Sequence, residues 1–129
     1  MNNSNFYRAT AAMLLAISIG LGAFGAHGLK DLLPPASLES YKTGVDYLMA
    51  QALGLLALNH STLVARLLLI GIACFSGSIF LLSTQSLHGL SVAWLGPVTP
   101  VGGLLLMVAW ALCAYQLFIS KSEKTALSK

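Results

Sequence analysis

Charge is what this sequence has least of. Seven lysines and arginines and four acidic residues are all that 129 residues carry. A soluble domain gives about a quarter of its residues to charge because its surface must face water, so a water-soluble globule is excluded. Cysteine is almost as scarce. Cys74 and Cys113 stand far apart inside uncharged stretches, which excludes a disulfide framework or a thiolate zinc knuckle and leaves them as small polarizable packing residues. The four prolines fall in two pairs, Pro34-Pro35 in an expected loop and Pro97 with Pro100 at an expected helix start. Three histidines are present, without a carboxylate at ligand spacing, so no metal and no cofactor are expected. The net charge of +3 is not gathered into a basic stripe, which argues against nucleic acid. No G-x-S-x-G occurs, and Ser76, Ser78 and Ser83 lack a recognisable base, so an enzyme is not expected. These hydroxyls are expected to bond back to their own helix or to a neighbour.

Present instead are long uncharged runs, 9–29, 47–65 and 67–120, with a mean hydropathy of +0.80. A bilayer core takes about 20 residues of helix, so the third run holds two crossings and a turn. The fold class is therefore all-α, an integral membrane bundle of about four transmembrane helices in a single domain spanning 1–129. The lipid bilayer is its first partner. The opening run follows Arg8 and ends near Ala23-Phe24-Gly25, which has the order of a signal peptide. Its length of about 18 residues exceeds the usual h-region, so it is expected to remain as the first helix.

The helices are expected at about 7–26, 38–59, 63–84 and 97–119, with a mobile basic tail at 121–129. In helix 1 the row Ala12, Ala16, Gly20 suggests close helix contact, because small residues let backbones approach in lipid. Gly20 to Gly25 also reads G-x-G-x-x-G, but within a lipid-length helix it lacks the strand and helix start that dinucleotide binding needs. Pro34-Pro35 marks a loop, and Ser37 is a plausible cap for helix 2. That helix is wet in its first half (Glu39, Lys42, Thr43, Asp46) and apolar in its second. Gly71, Ala73, Gly77 and Ser78 give helix 3 small contact positions. Thr99-Pro100 reads as a cap and first turn for helix 4, with Gly102-Gly103 allowing close packing. Trp94 and Tyr115 fall toward its ends as interface anchors.

Four crossings put Arg8, Arg66 and the three tail lysines on one side against Lys30 and Lys42, so both termini are expected in the cytoplasm. A three-crossing alternative, with helix 2 on the surface, sets six basic residues against Arg8 alone and satisfies the charge count even better. The apolar stretch 47–58 argues for four, since a surface helix needs a strongly polar face.

The segments Gly22-Ala-Phe-Gly-Ala-His-Gly28, Tyr41-Lys-Thr-Gly-Val-Asp-Tyr47, Phe75-Ser-Gly-Ser78 and Leu95-Gly-Pro-Val-Thr-Pro-Val-Gly-Gly103 together resemble the small membrane proteins grouped as domain of unknown function 423. Proteins called transmembrane protein 256 fall in the same group. The resemblance covers nearly the whole chain. It implies a compact bundle of about four helices in a bacterial inner membrane or a mitochondrial membrane, and implies no activity. Relatives tend to carry histidine in helix 2 where this chain has Gln51, which argues against a titrating imidazole there.

Ionisable groups at membrane depth cost about 2.5–3.5 kcal/mol on insertion scales and so suggest a site. The candidates are His27, Lys42, Asp46 and Gln51, which could line a polar pocket between helices 1 and 2. Asp46, one turn into the helix, is expected to face the bundle and pair, with Lys42 four residues earlier as the partner nearest by spacing. An interfacial loop with solvated charges is the plainer reading. The expected role is a structural or accessory membrane component that contacts itself or another membrane protein. A small oligomeric transporter or channel for a proton, a polar solute or a lipid is the second reading.

Overall fold

The computed structural model describes residues 3–57 and 61–127, with side chains from 4 to 57 and from 61 to 120. The expected end of helix 2 at 59, His60, and the last two residues of the tail lie outside the described residues. Five α-helices follow in order: α1 (Asn3–His27), α2 (Pro35–Ala57), α3 (Thr62–Ser83), the single turn α4 (Gln85–His88) and α5 (Val98–Leu127), with a 3-10 turn at Ala93–Leu95 before the last. No strand occurs among the described residues.

Among the described residues, three helical segments are long and apolar enough to cross a membrane: Ser4–His27, Thr62–Ser83 and Ala93–Ser120. α2 is not among them, because Glu39, Lys42, Asp46 and Gln51 lower its hydropathy, so the fourth expected crossing is not confirmed by length and composition. It is nonetheless packed within the bundle. Gly22 faces Val45 and Gly25 faces Tyr41, so α2 runs antiparallel to α1. Gly44 meets Ile79 and Phe80 while Tyr47 meets Phe75, so it also runs antiparallel to α3. Its buried positions, Tyr41, Gly44, Val45, Leu48, Ala52 and Leu55, extend along most of its length.

The helix ends follow from local chemistry, with some shifts from the sequence reading. α2 starts at Pro35, ahead of the expected position 38. Proline at a first helical position has no donor to lose and a φ already set for helix. Leu38 N–H bonds the Pro34 carbonyl at 3.0 Å, so Ser37 lies inside the first turn and is not the cap. Ser61 caps α3, accepting from Val64 N–H at 3.4 Å. Thr99 also lies one residue inside its helix, which starts at Val98; its hydroxyl pairs with Ser78 at 2.6 Å. α5 continues to Leu127, where a mobile tail from 121 was expected. Lys, Glu, Ala and Leu are good helix formers in water as well as in lipid, and nothing in 120–127 breaks the helix.

The tightest approach joins α3 to α5. A Cβ on Gly102 would collide with Phe75 N and lie 2.9 Å from the Cys74 carbonyl carbon. One level deeper, Gly71 receives Leu106 at 2.7 Å. The expected small face of α1 is not used in this way. Ala12, Ala16 and Gly20 are exposed, and nothing lies within 4 Å of a Cβ built on Gly20. The inward row is Ala11, Ser18 and Gly25, one every seventh residue, with Leu14 and Leu21 packed beside it. Seven residues make almost two helical turns, which keeps a row against a neighbour inclined at a shallow angle. Gly77 likewise has nothing within 4 Å, whereas Ser78 is buried.

Gly102→Ala should therefore destabilise the bundle, although alanine ordinarily stabilises a helix interior by roughly 0.5–1 kcal/mol. Thermal unfolding in detergent checks this. Gly20→Ala, which meets open space, should raise or hold the midpoint while Gly102→Ala lowers it.

Candidate functional site

The four candidate residues separate onto two faces of α2. Lys42 and Asp46 are four apart on a helix and so share a face. With Gly22, Gly25, Tyr41 and Val45 they line a shallow pocket of about 240 Å³ against α1. Gln51 follows Asp46 by five residues, which turns it toward α5. His27, the last residue of α1, is exposed and is not among the residues lining that pocket. The single polar pocket expected from the sequence is thus divided.

Asp46 is exposed, and among the described residues it forms no ion pair with Lys42 or any other group. This corrects the expectation that it faces inward and pairs. The physical reason is its level in the fold. It lies beside the last two turns of α1, near the end of the bundle where the Gly28–Pro34 connection emerges, and a carboxylate there needs no burial. Tyr41 takes the inward position on this face: its hydroxyl donates to the Leu21 carbonyl at 3.1 Å and its ring fills the space left by Gly25. That carbonyl belongs to helical backbone, so the bond ties α2 to α1 without disturbing either helix.

The second face carries a different arrangement. Trp110 Nε1 donates to Gln51 Oε1 at 2.6 Å. An indole N–H can only donate, so this bond fixes the carboxamide orientation and turns the Gln51 amide nitrogen away from Trp110. Gly54, one turn further, makes room for the Trp110 ring. Tyr47 and Phe75 stack with centroids 4.6 Å apart at 44°. Together with Gly103, Leu106 and Met107 these residues line a groove of about 590 Å³ between α2, α3 and α5. The sequence reading singled out Gln51 but missed its partner. The available signal was that Gln51 and Trp110 are isolated hydrogen-bonding side chains in otherwise apolar stretches.

Elsewhere two of the three serines singled out on α3 bond as expected. Ser78 bonds the Phe75 carbonyl at 3.0 Å as well as Thr99, and Ser83 bonds the Phe80 carbonyl at 3.2 Å. Trp94 and Tyr115 are exposed, as interface anchors would be. At the opposite end from the α1–α2 connection, Arg66 Nε donates to the Tyr7 hydroxyl at 3.3 Å, which brings the first turns of α1 and α3 together.

Comparison with known proteins meets this geometry at its centre. The family described as protein of unknown function (DUF423) matches residues 21–103, from the end of α1 to the glycine pair of α5. The chain belongs to this family. Among relatives of the chain, a UPF0382 membrane protein of Haemophilus influenzae is 36% identical over 126 residues, covering 92% of this chain and 98% of the relative. The UPF0382 membrane protein YwdK of Bacillus subtilis is 36% identical over 104 residues, covering 73% and 80%. One from Schizosaccharomyces pombe is 38% identical over 109 residues, covering 78% and 92%. No solved structure matches the chain. This DUF423 member is an integral membrane protein, in keeping with its apolar helices and with the names of its relatives.

Asp46→Asn should leave the thermal midpoint in detergent nearly unchanged, within about 0.5 kcal/mol of stability, as for surface positions generally. Tyr41→Phe should cost about 0.6 kcal/mol and at most about 1.7, the range for helix-to-helix hydrogen bonds in membranes. A larger loss for Asp46→Asn than for Tyr41→Phe would reverse the assignment of these two residues.

Proposed function

We propose that the chain is a four-crossing accessory component of a bacterial inner membrane, with both termini in the cytoplasm, which acts through helix contacts with itself or with another membrane protein. The observation that carries this reading is the use made of its polar side chains. Tyr41 to the Leu21 carbonyl, Gln51 to Trp110 and Ser78 to Thr99 each tie one long helix to another. Polar groups at membrane depth thus hold the bundle together, which suits a rigid body that presents its outer surfaces. The outer row of α1, Ala12, Ala16 and Gly20, is the surface on offer for a second helix, since small residues permit the close approach on which association in lipid depends.

Four crossings are supported by the antiparallel course of α2 between α1 and α3, and by its uncharged second half. The bundle then places Arg8 and Arg66 at the end shared with the basic tail, and Lys30 and Lys42 at the other. This is the asymmetry that the positive-inside rule associates with a cytoplasmic N-terminus.

Fusions to a reporter active only in the periplasm check the topology. The 28–34 connection should give an active fusion and the N-terminus a silent one; the reverse pattern overturns the orientation. For the contact surface, Gly20→Leu should shift the assembled species in mild detergent or nanodiscs to a smaller size without lowering the thermal midpoint. An unchanged assembly would remove α1 as the contact face.

A further inference from the structure

The groove between α2, α3 and α5 has features that its structural role leaves unused. α2 and α5 nowhere bring Cα atoms within 8 Å of each other among the described residues. Trp110 reaches across the gap, and the groove stays open toward the membrane. Its wall is apolar and aromatic, formed by Tyr47, Phe75, Leu106, Met107 and Trp110. The carboxamide of Gln51 interrupts this wall. Its oxygen is taken by Trp110, and its amide N–H groups are accepted by no group among the described residues. An amide donor left open in hydrocarbon is costly, because no water is at hand to satisfy it. Gln51 lies five residues, about 7.5 Å, further along α2 from the solvated end than Asp46. The rings of Tyr47, Phe75 and Trp110 around it suit a flat ring better than a branched phospholipid ester.

We infer that this groove binds a membrane-dissolved lipid whose head is a flat ring bearing carbonyl oxygens, the chemistry of a quinone. One ring carbonyl accepts from the Gln51 amide. The ring packs beside Tyr47, Phe75 and Trp110 in the offset or edge-on geometries that aromatic groups favour. The apolar tail leaves through the open side past Met107, which is 71% exposed at the rim. A volume of about 590 Å³ falls within the range of small-molecule pockets, roughly 300–1,000 Å³. Binding requires no electron transfer, and none is proposed.

The test uses the full chain in nanodiscs with Trp94→Phe, so that Trp110 is the remaining tryptophan, and a decyl-substituted benzoquinone as the probe. Quinones quench indole fluorescence on contact. Saturable quenching is expected, little relieved by decylbenzene or by added phospholipid. Gln51→Leu should weaken the affinity about tenfold, the loss of one hydrogen bond in a dry setting. Met107→Trp would confuse the optical signal, so Met107→Phe serves as the second variant, filling the rim while leaving the amide in place, and it too should weaken binding. Both variants are compared at matched thermal midpoints. If Gln51→Leu does not fold, the Met107→Phe result and the competition series decide. Quenching that rises linearly without saturation would mean bulk partitioning and overturn the proposal. Equal displacement by decylbenzene or phospholipid would mean an unselective apolar groove and overturn the carbonyl recognition, as would a folded Gln51→Leu that binds like the parent.

Discussion

The seat of Gly102 on the backbone of Cys74 and Phe75 sets the distance between α3 and α5, and the rest of the bundle is arranged around that pair. In lipid the apolar effect gives little preference for helix against helix, since the surrounding chains are as apolar as leucine. Association must come from dispersion contacts at short range and from a few hydrogen bonds. Glycine supplies the first repeatedly. Gly25 admits the Tyr41 ring, Gly44 admits Phe80, Gly54 admits Trp110 and Gly71 admits Leu106. Each long helix thus offers a notch to a bulky side chain of the next. The hydrogen bonds fall close to these notches: Tyr41 to Leu21, Trp110 to Gln51, and Ser78 to Thr99 one turn from Gly102.

α2 shows what this scheme permits. Its charged residues point outward, and its inner face is a continuous apolar row interrupted by Gly44. The helix is therefore held by neighbours more than by lipid. Leu29 and Leu33, in the connection ahead of it, are buried with Tyr41 and Val45, so the turn between α1 and α2 is itself packed rather than loose. The two ends of the bundle differ accordingly. One is closed by this apolar connection; the other is joined by the Arg66–Tyr7 bond.

Much of this was legible in the sequence. Uncharged runs separated by charges gave the long helices to within four residues at the described ends other than that of α5, which continues to Leu127 instead of 119, because composition alone decides which segments tolerate lipid. The prolines marked the starts of α2 and α5, with an offset of three residues at α2 because proline begins a helix as readily as it ends a loop; the Ser61 cap of α3 was not read. The packing faces were harder to read. The row Ala12, Ala16, Gly20 lies on nearly the opposite side of the helix from Ala11, Ser18, Gly25, yet both rows are small. Only the partner, Tyr41 on α2, distinguishes them. Asp46 was misplaced for a similar reason: its position along the helix suggested depth, but depth depends on where the neighbouring helix ends. The Gln51–Trp110 bond joins residues 59 apart, and no local pattern announces a contact at that separation.

The notches are not equivalent in what could restore them once lost. The space a side chain would need at Gly54 is held by the Trp110 ring, which a smaller residue could vacate, so a lesion at 54 has a compensating change available on α5. At Gly25 the obstacle is again a ring, that of Tyr41. At Gly102 the obstacle is main chain, which no substitution on α3 can shorten. A genetic suppressor screen would accordingly return second-site revertants for the first two positions, and for Gly102 only changes at that codon itself.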